Sequence, residues 1–246
     1  MIIVDACTHV GDSLYNNGAK PEEVFEAMSY LGAKKSIICP VKPFDYNLIK
    51  ANNYILDLVE DYPDKFIGFV RVDPNLKNEA LKEVKRGISK GLKGIYLHPW
   101  EENFQINNSI TYPILDFAEK KGKPVMIEGG YPWVSHATQV LDIARKFPNV
   151  KLIITNAGQL DLSGFSLFDV TTLFKSCKNV YMLTNAAVGT EWLASLINDI
   201  SDKRVIFGTG LPVFDPKLEI LRIKYLENVS EEKMKKVLGE NILEIL

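Results

Sequence analysis

Three side chains of types that bind zinc are spaced so that a fold could bring them together. Cys7 and His9 are separated by one residue, and Glu128 ends a later apolar run. Side chains of an extended strand alternate between two faces, so Asp5, Cys7 and His9 are expected on one face. A thiolate, an imidazole and a carboxylate form a legitimate zinc triad.

A structural explanation of the same residues competes with the zinc site. Free cysteine is most often a small buried hydrophobic residue, and Glu128 would then pair with a neighbour such as His9. We favour this explanation and predict no metal and no cofactor, with Zn²⁺ on Cys7, His9 and Glu128 as the alternative. Cys7 could also be a nucleophile paired with His9, but no feature of the sequence marks an activated thiol.

Without a metal, the candidates for acid–base catalysis are Asp5, His9, His98 and Glu128. A carboxylate beside imidazoles in a half-closed site can be tuned for proton transfer near neutral pH. Glu128 is the first choice of base, and His9 is the second. A structural ion pair is an equally good account of Glu128.

A second set of side chains is predicted to bind substrate. Its members are Arg71, Trp100, Trp133, Asn156 and Asn185. Arginine holds carboxylates through two parallel hydrogen bonds, aromatic residues after strands often cover a pocket, and the two amides suit the orientation of a polar ligand. The alternatives are a salt bridge from Arg71 to Asp73 or Glu128, and tryptophans that cover the edges of the core.

These residues need a scaffold that brings the ends of distant segments together. Apolar runs rich in valine and isoleucine alternate with helical patterns along the chain, and the predicted strands are 2–6, 35–41, 66–72, 94–98, 124–128, 151–155, 180–184 and 204–208. Such alternation predicts a parallel sheet, and eight units suggest closure into a barrel. We therefore predict a single α/β domain over residues 1–246, a (β/α)8 TIM barrel.

The boundaries of the predicted helices carry their own signals. Pro21 occupies an expected first helical position, Gly91 is expected to end a helix, and Ser230 is an expected N-cap. In this fold catalytic residues come from the C-terminal ends of the strands. All three histidines, His9, His98 and His136, lie at or just after such ends, which favours a polar pocket there over three separate capping roles.

The composition excludes several classes of partner. The 246 residues carry a net charge of -2 without a basic stripe, which argues against nucleic acid and membrane surfaces. No apolar run approaches membrane-spanning length, and no signal peptide is recognisable. Three cysteines without a CxxC pair are typical of reduced thiols in a cytoplasmic protein. We expect a small-molecule ligand, and the sequence leaves the oligomeric state open, a homodimer included.

Ordered motifs run along nearly the whole chain. The first strand reads as an Asp-x-His-x-His signature with Cys7 in place of the first histidine, and further motif segments are 94–99, 112–118, 123–127, 144–150, 153–158, 207–212 and 238–241. Together they resemble the motifs of the amidohydrolase-related branch of the amidohydrolase superfamily. The resemblance implies a TIM barrel like that of metal-dependent hydrolases. It also implies relatedness to decarboxylases and lactonases of small carboxylated substrates.

The sequence departs from the ligand set that this resemblance implies. Family members hold a metal and activate water with a first-strand His pair, a fifth-strand His and an eighth-strand Asp, assisted by a sixth-strand His. The corresponding positions are Cys7, His9, Glu128, Gly210 and Asn156, so His9 alone is retained.

Since a fold does not determine a function, these departures decide the functional prediction. We predict a divergent amidohydrolase-like hydrolase or lyase without the usual metal site. It would act on a small polar molecule, with a carboxylated one as an open alternative. The rival prediction is a catalytically inactive barrel that keeps a small-ligand pocket, as a binding protein or a structural subunit.

Overall fold

Eight parallel strands follow one another in chain order around a barrel in the computed structural model, which describes residues 1–160 and 165–246. The strands are β1 (Val4–Val10), β2 (Lys35–Pro40), β3 (Phe66–Arg71), β4 (Gly94–Leu97), β5 (Val125–Ile127), β6 (Leu152–Ile154), β7 (Val180–Leu183) and β8 (Val205–Ile206). The barrel closes where the Ala6 amide donates to the Phe207 carbonyl (3.1 Å) and the His9 amide donates to the Leu211 carbonyl (2.8 Å). The predicted TIM barrel is confirmed.

Helices on the outside connect the strands. In the described parts of the chain they are α1 (Pro21–Leu31), α2 (Leu48–Asp61), α3 (Asn78–Ser89), α4 (Tyr112–Lys121), α5 (Ala137–Lys146), α6 (Phe165–Ser176), α7 (Thr190–Ser195), α8 (Pro216–Lys224), α9 (Glu231–Lys235) and α10 (Asn241–Ile245). Pro21 begins α1, Gly91 follows α3 with a φ of 110°, and the Ser230 hydroxyl caps α9, as predicted. Across these residues, no helix is long and apolar enough to cross a membrane.

Apolar side chains fill the inside of the barrel. Phe69, Met126, Ile153 and Leu183 are fully buried there. The packing is tight, because a Cβ atom at Gly94 would lie 2.4 Å from the Phe69 ring. Each such side chain contributes about 1.5–3 kcal/mol through burial, so the interior is a rigid support for the residues at the C-terminal end of the barrel.

The observed strand ends differ from the predicted ones. β1 begins two residues later than predicted and continues to Val10, because its second half pairs with both β2 and the segment after β8. The other strands are one to three residues shorter than predicted, since the backbone leaves the ladder early. Asn156, for example, begins a helical turn just after β6 and has a φ of 57°.

The pairing of β1 with β2 shifts by one residue between Asp5 and Thr8. The extra residue breaks the alternation of side chains, so Asp5 does not share a face with Cys7 and His9, and that prediction is wrong. The Asp5 carboxylate instead accepts hydrogen bonds from the Thr209 amide (2.8 Å) and the Thr209 hydroxyl (2.6 Å). It ties β1 to the chain after β8.

Candidate active site

A cavity of about 90 Å³ opens at the C-terminal end of the barrel. Six residues predicted to form a site line it: His9, Arg71, His98, Glu128, Asn156 and Asn185. Typical pockets for drug-sized ligands measure about 300–1,000 Å³. The cavity therefore suits a molecule of a few non-hydrogen atoms, or the reacting end of a larger one.

A row of hydrogen bonds runs along the cavity through a residue that the sequence analysis missed. The Tyr96 hydroxyl lies 2.9 Å from Oε2 of Glu128 and 3.0 Å from Nε2 of His9. The side-chain amide of Asn156 donates from Nδ2 to the other carboxylate oxygen of Glu128, Oε1, at 2.7 Å. Tyr96 was detectable in principle, because the sequence analysis expected residues 94–98 to form one strand, and side chains two positions apart in a strand, here Tyr96 and His98, share a face.

The protons in this row have one consistent assignment. A carboxylate can accept hydrogen bonds but cannot donate them, so the Tyr96 hydroxyl donates to Glu128. The Tyr96 oxygen is then free to accept, and the His9 ring donates to it from Nε2. His9 thus carries a proton at Nε2.

The charge states agree with this assignment. Burial favours a neutral Glu128, but the His9 and His98 rings and the hydrogen bonds from Asn156 and Tyr96 outweigh it, so its pKa lies below the usual value. Burial lowers the pKa of His9; the Glu128 carboxylate opposes this shift, and Arg71 acts in the same direction as burial. Burial, reinforced by Glu128, raises the pKa of the Tyr96 phenol well above its usual value. Glu128 is therefore the ionised, negatively charged member of the row.

Arg71 is neutralised by two carboxylates from the loop after β4. Its guanidinium donates to Oε2 of Glu101 at 2.5 Å and to Oε1 of Glu102 at 2.7 Å. The predicted salt bridge to Asp73 or Glu128 is therefore wrong. The adjacent Glu101-Glu102 pair just after a barrel strand was a signal in the sequence for such a partner.

His98 is held by the same loop. Its Nδ1 accepts a hydrogen bond from the Glu101 amide (3.2 Å), and its Nε2 lies 3.4 Å from Oε1 of Glu101. Burial, aided by Arg71, lowers its pKa well below the usual value. Both ring nitrogens are engaged by Glu101, so this placement favours a positioning role for His98 over the predicted catalytic one.

Asn156 and Asn185 form a mutual pair. Oδ1 of Asn185 accepts a hydrogen bond from the backbone amide of Asn156 (3.0 Å), and Nδ2 of Asn185 donates to Oδ1 of Asn156 (2.8 Å). This pair turns Nδ2 of Asn156 towards Glu128. The two amides therefore orient the carboxylate as well as lining the cavity.

The remaining predicted site residues lie away from the cavity. Asp5 is bound to Thr209, and burial raises its pKa to about 6. Trp100 is half exposed and stacks on Tyr131 with a ring separation of 5.5 Å. Trp133 is 76% exposed. Since Tyr131 itself lines the cavity, the aromatic wall predicted from the tryptophans is made by a tyrosine that Trp100 supports.

A family model described as amidohydrolase matches residues 44–246. The chain belongs to the amidohydrolase family. A search of curated proteins finds no match.

Solved structures similar to this amidohydrolase-family barrel share its fold at low sequence identity. An uncharacterised TIM-barrel protein of Bordetella bronchiseptica is 17% identical, with a TM-score of 0.81 over 100% of this chain and 98% of that one. A 2,6-dihydroxybenzoate decarboxylase from Rhizobium is 12% identical, with a TM-score of 0.78 over 100% and 98%. A 5-carboxyvanillate decarboxylase of Novosphingobium aromaticivorans, complexed with manganese and 4-hydroxy-3-methoxy-5-nitrobenzoic acid, is 14% identical, with a TM-score of 0.80 over 99% and 95%.

The residues of this amidohydrolase-family site do not fit such a metal as they are arranged. The Tyr96 hydroxyl is hydrogen-bonded to both His9 Nε2 (3.0 Å) and Glu128 Oε2 (2.9 Å), the two atoms that a shared metal would need, so both are already engaged. Burial raises the pKa of the Cys7 thiol well above its usual value, so Cys7 is a poor thiolate ligand. Among the described side chains, no group of three or more His, Cys, Asp or Glu is placed to hold a metal ion.

Proposed function

We propose that this protein is a hydrolase or lyase that uses Glu128 to transfer a proton on a small polar molecule, without a divalent metal. The row of hydrogen bonds from His9 through Tyr96 and Glu128 to Asn156 carries the proposal. It supplies a buried, ionised and immobile carboxylate at the wall of a cavity. Several of the similar solved structures are named decarboxylases, which supports the lyase alternative.

The row supports a defined role for each member. A carboxylate offers about four lone pairs, so Glu128 can receive a substrate proton while it still accepts from Tyr96 and Asn156. Once protonated, Glu128 can return the proton to the leaving atom at the next step. Asn156 and Tyr96 hold the carboxylate in position throughout, and His9 fixes the orientation of the Tyr96 hydroxyl.

One observation favours a second function, that of a binding protein. The pKa of Glu128 lies below its usual value, and a base is weaker when its conjugate acid has a lower pKa. A fully hydrogen-bonded carboxylate of this kind holds a ligand more readily than it removes a proton. The cytoplasmic location and a homodimer stay predictions under either function.

The experiment is a turnover screen in the presence of EDTA. Wild-type protein and two isosteric variants, Glu128→Gln and the exposed control Glu191→Gln, are incubated with a library of small polar molecules, and products are followed by NMR. We expect turnover by the wild type and the control, and a loss of about 10²–10⁴-fold in Glu128→Gln, the usual contribution of a general base.

Each alternative outcome has a distinct meaning. Turnover that survives Glu128→Gln unchanged would refute Glu128 as the base. Turnover that disappears in EDTA and returns with manganese would refute the metal-free mechanism. Saturable binding without turnover, lost in Glu128→Gln, would favour the binding protein.

A further inference from the structure

The charged groups in and beside the cavity include more carboxylates than guanidinium or ammonium groups. Glu128 and Arg71 are the two charged side chains that line it. Arg71 is paired with Glu101 and Glu102 at 2.5 and 2.7 Å. His9 Nε2 hydrogen-bonds to the Tyr96 hydroxyl at 3.0 Å and stays 3.8 Å from the Glu128 carboxylate. Even if Glu102 were protonated, Glu101 would still neutralise Arg71.

No other cation of the described residues compensates Glu128 from the cavity wall. The ammonium of Lys42 is engaged elsewhere: it donates to the backbone carbonyl of Glu101 and lies 5.0 Å from the centre of the Tyr46 ring. Lys42 does not line this cavity. A negative ligand would therefore meet a buried carboxylate whose charge water screens poorly.

The rest of the wall suits a positive or hydrogen-bond-donating ligand. Tyr131 and Phe214 line the cavity, and the faces of aromatic rings attract cations; the Tyr96 ring already has the Arg71 guanidinium over it, 5.5 Å from its centre. Each oxygen of Glu128 keeps a lone pair after it has accepted from Tyr96 or Asn156. Two parallel N–H donors, as in an amidine or a guanidine, match such a carboxylate.

We propose that the cavity selects small cationic or neutral molecules bearing N–H donors, of the amidine, guanidine or amide class, and rejects carboxylates. The inference rests on the proposed function in taking this cavity as the ligand site, and it names the substrate class. It separates this chain from the similar structures whose names include carboxylated aromatics.

The test uses three nearly isosteric probes that differ in charge: acetamidinium, acetamide and acetate. Each has four non-hydrogen atoms and suits the small cavity. Dissociation constants are measured by NMR titration at low salt and neutral pH for wild type, Glu128→Gln and the control Glu191→Gln. Glutamine keeps the shape of Glu128 and removes its charge, and the thermal midpoint of each variant verifies that it is folded.

We expect the wild type and the control to bind acetamidinium at least tenfold more tightly than acetate, with acetamide between them. Glu128→Gln should raise the dissociation constant of acetamidinium at least tenfold and change that of acetamide little. Acetate binding as tightly as acetamidinium, or a wild type that binds none of the probes, would overturn the inference. A preference for acetamidinium that persists in folded Glu128→Gln would also overturn it.

The wild-type order of affinities does not depend on the folding of any variant. Failure here is also distinguishable from failure of the proposed function. If the protein turned over an anionic molecule and this turnover required Glu128, the proposed selection by charge would be refuted, whereas the proposed enzymatic function would stand. If the protein bound acetamidinium selectively but showed no turnover in the screen, the selection by charge would stand, whereas the proposed enzymatic function would be refuted.

Discussion

The Tyr96 hydroxyl makes two buried hydrogen bonds, and its removal gives the sharpest test of the site geometry. In Tyr96→Phe the ring stays, while the contacts to His9 Nε2 (3.0 Å) and Glu128 Oε2 (2.9 Å) are lost. A hydrogen bond to a charged group is worth about 1.5–3 kcal/mol and a neutral one about 0.5–1.5 kcal/mol. We expect the free energy of unfolding to fall by about 3 kcal/mol.

Urea unfolding followed by circular dichroism measures this loss. The matched control is Tyr112→Phe, whose partly buried hydroxyl donates one hydrogen bond to the Asn107 carbonyl at 3.2 Å. The control should lose about 1 kcal/mol. The pKa of Glu128 should rise in Tyr96→Phe, because the hydrogen bond from Tyr96 helps to lower it. Equal losses in the two variants would refute the reasoning, since the row would then contribute no more than one peripheral hydrogen bond.

Three further predictions concern single residues and the metal. Gly210→Ala should destabilise the protein by about 1–3 kcal/mol more than the control Gly32→Ala. The two glycines have similar φ values of 70° and 69°, but only a Cβ atom at Gly210 would meet a neighbour, 2.8 Å from Asn185 Nδ2. Equal urea midpoints for the two variants would contradict this prediction. Burial raises the pKa of Asp5 from 3.8 to about 6, so its stabilising contribution is present below pH 4 and lost as the pH rises to 6, roughly 3 kcal/mol in all. Asp5→Asn should remove that part of the pH dependence, and an unchanged difference between pH 4 and 6 would rule Asp5 out as its source. The purified protein should contain well under one equivalent of zinc and keep its thermal midpoint in EDTA, and stoichiometric zinc by elemental analysis would instead support the triad of Cys7, His9 and Glu128.

The barrel could be predicted because its signals are local and repeated. Each apolar run and each amphipathic helix is recognisable within about ten residues, and their order dictates the parallel arrangement. The meeting of His9 and Glu128 at one end follows from the same rule, because the C-terminal ends of parallel strands share one side of the barrel. Their side chains lie 3.8 Å apart.

The partners of individual side chains could not be predicted in the same way. Arg71 binds Glu101 and Glu102, which belong to a loop that is held by hydrogen bonds from Asn17 and Asn75 in two other loops. Asp5 was misplaced because a one-residue shift in β1 leaves no mark in the sequence pattern. Such features depend on tertiary geometry, where a small displacement exchanges one hydrogen-bond partner for another.

The closure of the barrel has a consequence for how the chain folds during synthesis. Asp5 and Thr209 are 204 positions apart, and the amides of Ala6 and His9 pair with carbonyls near Thr209. A ribosome adding about 5–20 residues per second needs roughly 10–40 s to span that distance. Until then one edge of β1 has no partner, and unpaired strand edges are sites of aggregation. The nascent chain therefore passes through a long interval in which seven strands can assemble while the gap between β1 and the missing β8 leaves the barrel unclosed.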